Sequence, residues 1–146
     1  MKECKVTISG DKEIVLGALT SDGKKESLGT LTNFEIKFDT IDDDTREKSG
    51  AMIARMKIKG KITKENRSQV EELSRWARDM NTDTTNRTVL VEMLLNDGME
   101  VHGYKIPNVF VVDYQETHTI DGEKGTSTYE VSLTQQHNYL DETKIF

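Results

Sequence analysis

The stretch from Met52 to Met80 reads MIARMKIKGKITKENRSQVEELSRWARDM and contains both periodicities found in the chain. Up to Ile62, apolar side chains alternate with basic ones, which is typical of a strand with one buried face and one face in water. From Arg67 to Met80, apolar residues recur every three or four positions, which predicts a single amphipathic helix. The predicted buried side of this helix consists of Val70, Leu73, Trp76, Ala77 and Met80, and Ser68 with Glu71 has the spacing of a capping box.

On both sides of the helix the chain follows period two, which predicts strands. Phe34, Ile36 and Phe38 share one face of an early strand, and Tyr129, Val131 and Leu133 share one face of a late strand. The predicted strands cover residues 5–8, 14–19, 28–38, 52–62, 88–95, 99–104, 109–114 and 126–136. Residues 39–51 are charged and aperiodic and are predicted to form a protruding loop, and residues 137–146 form a C-terminal tail.

Strands, one helix and then more strands, without regular alternation, argue against a parallel sheet. We therefore expect a mainly β domain with one helix: a small antiparallel β-sandwich or barrel with the amphipathic helix packed against it. At 146 residues the chain should form one domain over residues 1–146. Its predicted core anchors are Trp76, Leu73, Phe110, Val112, Tyr129 and Val131.

Charge and hydropathy exclude several functional classes. The formal charge of -6 disfavours a phosphate-binding surface, and we expect no sequence-specific nucleic acid binding. No uncharged apolar run approaches 18 residues, and the charged start MKECK lacks the apolar stretch of a signal peptide. The protein is therefore expected to be made in the cytoplasm and not to span a membrane.

The residues offer little for catalysis or for a cofactor. His102, His118 and His137 do not have metal-ligand spacing, and Cys4 is the only cysteine. The run Asp42–Asp44 lacks the alternating ligands and the glycine of a calcium loop, which favours a solvated acidic loop. No nucleotide-binding or nucleophile motif occurs. We predict no catalytic, cofactor-binding or metal-binding residues, and no enzymatic activity.

The C-terminal half nevertheless resembles a known family. After the helix come TVLVEMLLND, then NVFVVDY at Asn108–Tyr114 and TYEVSLT at Thr128–Thr134. The order of these elements and the alternation of residues in their strands are similar to those of phage tail tube proteins and of the hemolysin-coregulated tube protein of type VI secretion systems. The resemblance implies hexameric rings that stack into a hollow tube, with sheath or baseplate proteins as partners and incorporation into a virion or injection particle.

On that resemblance, subunit contacts are expected where a charged segment can reach the next subunit. The predicted interface residues are Asp42, Asp43, Asp44, Arg46, Lys48, Lys57 and Lys59. Two alternatives stay open: a baseplate or tube-initiator component of the same apparatus, and a monomeric β-sandwich module that binds a protein partner. A small enzyme with a site built across strands is the least favoured reading.

Overall fold

A computed structural model describes residues 3–19, 31–40, 52–95, 100–122, 125–136 and 139–146. Eight antiparallel strands form one sheet in the order β2-β1-β5-β6-β7-β4-β3, and β8 pairs with β6. One helix packs against this sheet, so the predicted mainly β fold with a single helix is confirmed. The elements are β1 Cys4–Ile8, β2 Ile14–Ala18, β3 Leu31–Thr40, β4 Met52–Lys61, α1 Arg67–Ala77, β5 Arg87–Leu94, β6 Val101–Thr119, β7 Thr126–Gln135, a 3-10 turn Leu140–Glu142 and β8 Lys144–Ile145.

Strand β6 belongs to both halves of the sheet. The sequence predicted separate strands over 99–104 and 109–114, and this was wrong, because one strand of 19 residues runs through Pro107. Its first part pairs with β5 as far as Val109, and its second part pairs with β7 from Val109 to Thr119. Next to the proline, Asn108 adopts a φ of 56°, a conformation that asparagine tolerates better than most residues. The strand therefore turns a corner without ending.

The corner divides the sheet into two halves that share one core. The first half contains β2, β1, β5, the first part of β6 and the short β8, and the second contains four strands: the rest of β6, β7, β4 and β3. Across the core, the ring of Phe34 in the second half lies 6.2 Å from that of Tyr104 in the first. A Cβ built on Gly17 of β2 would lie 2.7 Å from a side-chain carbon of Leu31 of β3, so the two outermost strands approach there. They do not pair, and the sheet is curled but not closed.

The helix begins at Arg67, as predicted, but its cap and its C-terminal end differ from the prediction. Asn66 is the N-cap residue, and its side chain accepts a hydrogen bond from the Thr63 N–H and donates one to the Lys61 carbonyl, both at 2.7 Å. The predicted capping box at Ser68 is therefore wrong. At the other end the helix stops at Ala77, because the Asp79 carboxylate accepts hydrogen bonds from two residues of the following turn. Met80, predicted to be buried, is 94% exposed.

Four of the six predicted core anchors, namely Trp76, Leu73, Tyr129 and Val131, are buried. Val112 is 60% exposed, and its assignment to the core was wrong. Val111 faces the core opposite Leu133, so alternation points Val112 away from it, and the bulge between Val111 and Asp113 places Asp113 on the polar face as well. Phe110 is half-buried and lies opposite Thr134, outside the core cluster, so its assignment was also wrong. No helix within the described residues is long and apolar enough to cross a membrane.

Candidate assembly interface

The second half of the sheet has one apolar and one polar face. Its apolar face joins the core through residues such as Ile58, Val131 and Leu133, each at most 1% exposed. On its polar face the strand register aligns continuous rows across four strands. One row is Glu35, Lys57, Ser132 and Asp113, and the next is Asn33, Lys59, Glu130 and Gln115. The alternation read from β4 and β7 therefore continues into β3 and β6.

This polar face has a different charge balance from the whole chain. It carries five basic and four acidic side chains, whereas the chain as a whole has a formal charge of -6. Acidic groups are therefore concentrated elsewhere in the chain. The basic residues of this face are Lys37, Arg55, Lys57, Lys59 and Lys61, and the acidic residues are Glu35, Asp39, Asp113 and Glu130.

Two carboxylates on this face each lie between two basic groups. Asp39 is 3.5 Å from the Arg55 guanidinium and 3.8 Å from the Lys37 ammonium. Glu130 is 3.5 Å from the Lys57 ammonium and 3.8 Å from that of Lys59. Because all these groups are partly exposed, each pair contributes at most about 1 kcal/mol. Sequence reasoning missed Glu130, since pairing it with the lysines requires the register of β4 and β7.

The predicted interface residues divide into two groups. Lys57 and Lys59 lie on the polar face and contact Glu130 of the same chain. The other five, Asp42, Asp43, Asp44, Arg46 and Lys48, lie outside the described residues, and their role stays a prediction. Asp39 and Thr40, placed in the loop by the sequence, belong to β3, which corrects the start of that loop.

A shallow hollow of about 800 Å³ lies on the polar face. Lys37, Arg55 and Lys57 contribute basic groups to its wall, and Val112 contributes exposed apolar surface. Val112 therefore places an apolar spot among charged side chains.

Two long strand edges border this half of the sheet. No strand within the described residues pairs with the outer edge of β3 or with the outer edge of β6 beyond Val109, where β5 ends. Each open edge covers ten residues, Leu31–Thr40 and Phe110–Thr119, about 34 Å of strand. The edge of β2 is treated differently, since the Gln69 side chain of the helix accepts a hydrogen bond from the Val15 N–H at 2.8 Å.

The backbone hydrogen bonds between the strands show which backbone groups face outward on the open edges. Ile62 N–H donates to the Ser127 carbonyl, so apolar-face residues form the hydrogen-bonded pairs between β4 and β7. Because successive residues of a strand point their N–H and C=O groups to opposite edges, polar-face residues of β7 bond to β6. The Gln136 N–H bond to the Asn108 carbonyl agrees with this parity. The outward backbone groups on β6 are therefore those of Tyr114, Glu116 and His118.

The apolar side of the same strands holds two phenols with unpartnered hydroxyl groups. Burial raises the pKa of Tyr129, and its nearness to Tyr114 raises it further. Burial is also the main cause that raises the pKa of Tyr114, followed by the charge of Glu116. Neither hydroxyl has a hydrogen-bond partner within the described residues. Those residues also contain no cluster of three or more His, Cys, Asp or Glu able to hold a metal ion.

This architecture is the tube-protein fold of contractile injection systems. The chain is similar to Hcp1 from Flavobacterium johnsoniae, with a TM-score of 0.54 and 13% identity over 99% of this chain and 98% of that chain. It is also similar to a chain of an extracellular contractile injection system, the PVC sheath-tube complex in the extended state, with a TM-score of 0.52 and 13% identity over 99% of this chain and 86% of that one. A third similar chain comes from the anti-feeding prophage baseplate, 6-fold symmetrised, with a TM-score of 0.53 and 8% identity over 99% of this chain and 92% of that one. Neither a protein-family model nor a curated protein matches the sequence.

Proposed function

We propose that this protein is a structural subunit of a phage-tail-like contractile injection apparatus, and that six copies form a ring that stacks into a hollow tube. The observation that carries the proposal is the pair of open ten-residue edges on opposite sides of one amphipathic half-sheet. Long open edges promote uncontrolled strand pairing unless a partner covers them. Pairing β3 of one copy with β6 of the next covers both edges of every copy.

Strand direction makes such a ring possible. Directions alternate through β6, β7, β4 and β3, because each neighbouring pair is antiparallel. Because the number of strands is even, β3 runs opposite to β6 of the following copy. The antiparallel pattern therefore continues across every contact between β3 of one copy and β6 of the next, which we call the seam. Such a contact uses two different surfaces and forms a closed ring when the rotation between copies closes.

The six-fold symmetry is supported by the symmetrised baseplate to which the fold is similar. Six half-sheets of four strands give 24 strands. With about 4.8 Å between strands and a tilt between about 20° and 45°, the resulting barrel is about 40–50 Å across its backbone. The apolar face is already occupied by the subunit's own core, so the polar face is the one that lines the lumen.

The role is structural and requires neither catalysis nor a cofactor. We assign the stacking of rings to the segment 41–51, which lies between β3 and β4 in the chain. Its acidic and basic residues, Asp42 to Lys48, are the proposed contacts with the next ring, and Lys57 and Lys59 line the lumen. Sheath or baseplate proteins are the proposed outer partners, as the sheath-tube complex suggests for the fold.

Light scattering coupled to size exclusion, with negative-stain microscopy of the same fractions, tests the ring directly. We expect hexamers or hollow filaments with six-fold end views and a barrel of the width given above. A monomer at every concentration would overturn self-assembly into a tube and favour the monomeric binding module.

Glu116→Pro tests whether the edge of β6 forms the seam. Glu116 is exposed and its N–H faces the open edge, so proline removes a donor that β7 does not use. We expect the monomer to keep its unfolding transition while ring formation is lost. The matched control, Glu116→Ala, changes the same side chain but keeps the N–H, and should assemble. Equal assembly of both variants would show that this edge is not the seam.

Deleting residues 42–48 separates stacking from ring closure. We expect single rings without filaments, because the segment lies outside the proposed seam strands. Loss of the monomer fold would contradict the assignment of this segment to stacking.

A baseplate or initiator role is the second candidate, favoured by the similarity to the baseplate chain. It predicts isolated rings that do not elongate even with the full segment 41–51 present.

A further inference from the structure

The register of the seam between subunits follows from the charges on its two edges, given the ring proposed above. On the polar face, the edge of β3 carries Asn33, Glu35, Lys37 and Asp39. The edge of β6 carries Asp113, Gln115, Thr117 and Thr119. Only one short range of alignments brings opposite charges together.

A change of register is restricted to an even number of residues. An odd shift would turn the apolar side chains of one strand into the lumen, because successive side chains point to opposite faces. The unshifted alignment extends the row that already joins Glu35, Lys57, Ser132 and Asp113. It would place Glu35 directly opposite Asp113 of the next copy, and like charges in such positions are destabilising.

A shift of two residues in one direction places Lys37 opposite Asp113. The same shift places Glu35 opposite Gln115, so no like charges meet. A shift of four residues would place Asp39 opposite Asp113 and restore repulsion. The opposite two-residue shift gives Asp113 only the uncharged Asn33 as its neighbour.

We propose that each ring closes with this two-residue stagger, so that Lys37 of one copy forms an ion pair with Asp113 of the next. A stagger is also required by geometry, since the tilted strands of a closed barrel must shift in register around its circumference.

The two side chains are available for this contact. Lys37 is 73% exposed, and its only ion pair among the described residues is the 3.8 Å contact with Asp39. Asp39 keeps the Arg55 guanidinium at 3.5 Å when Lys37 turns away. Asp113 is exposed and forms no ion pair with a described residue.

The backbone hydrogen bonds between the strands also determine the distance between Lys37 and Asp113 across the seam. Polar-face residues of β6 bond to β7, and by the same parity those of β3 bond to β4. Lys37 and Asp113 therefore form a non-hydrogen-bonded pair across the seam, with Cα atoms about 4.5 Å apart. That separation lies within the range that a disulfide spans. Within one copy β3 and β6 are separated by two strands, about 14 Å, so only neighbouring copies can be linked.

Cysteine pairs test the register directly. In a Cys4→Ser background, Lys37→Cys with Asp113→Cys should give a ladder of covalent oligomers up to the hexamer after mild oxidation, on a non-reducing gel. The matched control, Glu35→Cys with Asp113→Cys, reports the unshifted register and should link at least ten-fold less.

The outcomes distinguish the register from the ring. Linking of the control pair in preference to the first pair would overturn the stagger and leave the ring intact. Six-fold rings with no linking in either pair would overturn both of these registers, and with them the contact between Lys37 and Asp113. If neither pair links and no rings are seen by microscopy, the proposed function fails and the register fails with it.

A charge exchange gives a test without new cysteines. Asp113→Lys and Lys37→Asp should each lower the fraction of assembled protein, and the double variant should restore it to within about two-fold of the original chain. Additive losses in the double variant would contradict a direct pair.

Discussion

Trp76 is the largest side chain in the core, and its removal should destabilise the monomer more than any edge substitution. The indole is 1% exposed, its Nε1 donates a hydrogen bond to the Thr85 carbonyl at 2.7 Å, and the Arg87 guanidinium lies 5.4 Å from the ring. Replacing it with alanine removes the buried ring, leaves a cavity and breaks the hydrogen bond. Trp→Ala changes of this kind cost about 3–5 kcal/mol.

The expected loss for Trp76→Ala is about 4 kcal/mol. Domains of this size are stable by about 5–15 kcal/mol, so the variant should remain mostly folded at low temperature. Trp76→Phe keeps an aromatic ring but loses the Nε1 donor, and should cost about 1–2 kcal/mol.

Urea denaturation followed by circular dichroism is the appropriate assay, because Trp76 is the only tryptophan and its fluorescence is absent from the variants. Met80→Ala is the matched control, since Met80 follows the same helix and is 94% exposed. It should change the free energy of unfolding by less than about 0.5 kcal/mol. A loss below about 1 kcal/mol for Trp76→Ala, or an equal loss for Met80→Ala, would refute the assignment of the helix face.

Three further changes test other parts of the core. Gln135→Leu should lower the free energy of unfolding by about 2–4 kcal/mol, because Gln135 is fully buried and its side-chain amide forms hydrogen bonds with four partners in β4, β6 and the C-terminal segment. Hydrogen exchange in residues 139–146 should then become faster. Gly103→Val should displace β8 and strain the pairing of β5 with β6, since a Cβ at Gly103 would lie 2.6 Å from both the Phe146 ring and the Val91 carbonyl oxygen, and carboxypeptidase should then remove the C-terminal residue faster than from the original chain. The raised pKa of Tyr129 means that folding favours its neutral form, so the stability it contributes is present below about pH 10 and is lost as the pH rises further. Tyr129→Phe should therefore reduce the fall in the free energy of unfolding above about pH 10. An unchanged slope would contradict the burial of the Tyr129 hydroxyl.

The sequence predicted elements well where one periodicity dominated. The alternation in β4 and β7 and the apolar spacing of Val70, Leu73 and Trp76 reflect single faces packed on one core, and single-face burial leaves a direct trace in sequence. A continuous apolar run leaves no such trace. Val112 lies in the run VFVV, and only the pairing of β6 with β7 shows that Val111 faces the core while Val112 and, after the bulge, Asp113 face away from it.

The C-terminal end of the helix and the corner in β6 were missed for a different reason. Met80 continues the apolar spacing of the helix, but the hydrogen bonds that Asp79 accepts from the following turn outweigh propensity at that point. Pro107 reads as a strand boundary because it lacks an N–H, and yet β6 passes through it at the position where the strand changes its partner from β5 to β7. The contact between Lys37 and Asp113 across the seam could likewise not be predicted from the sequence, since it depends on the order of the strands in the sheet.

The two halves of the sheet divide folding from assembly. The helix caps the shared core, and its Gln69 covers part of the one edge of the first half that lies beside it. In the second half, the polar-face side chains and the outward backbone groups of the two edge strands contribute little to that core, so substitutions of polar-face residues should leave monomer stability nearly unchanged. Core changes such as Trp76→Ala should lower stability in the monomer, and they should lower assembly only through the fraction of folded subunits. If every variant changed monomer stability and assembly in parallel, this division would be contradicted, because the seam and the core would then be one cooperative unit.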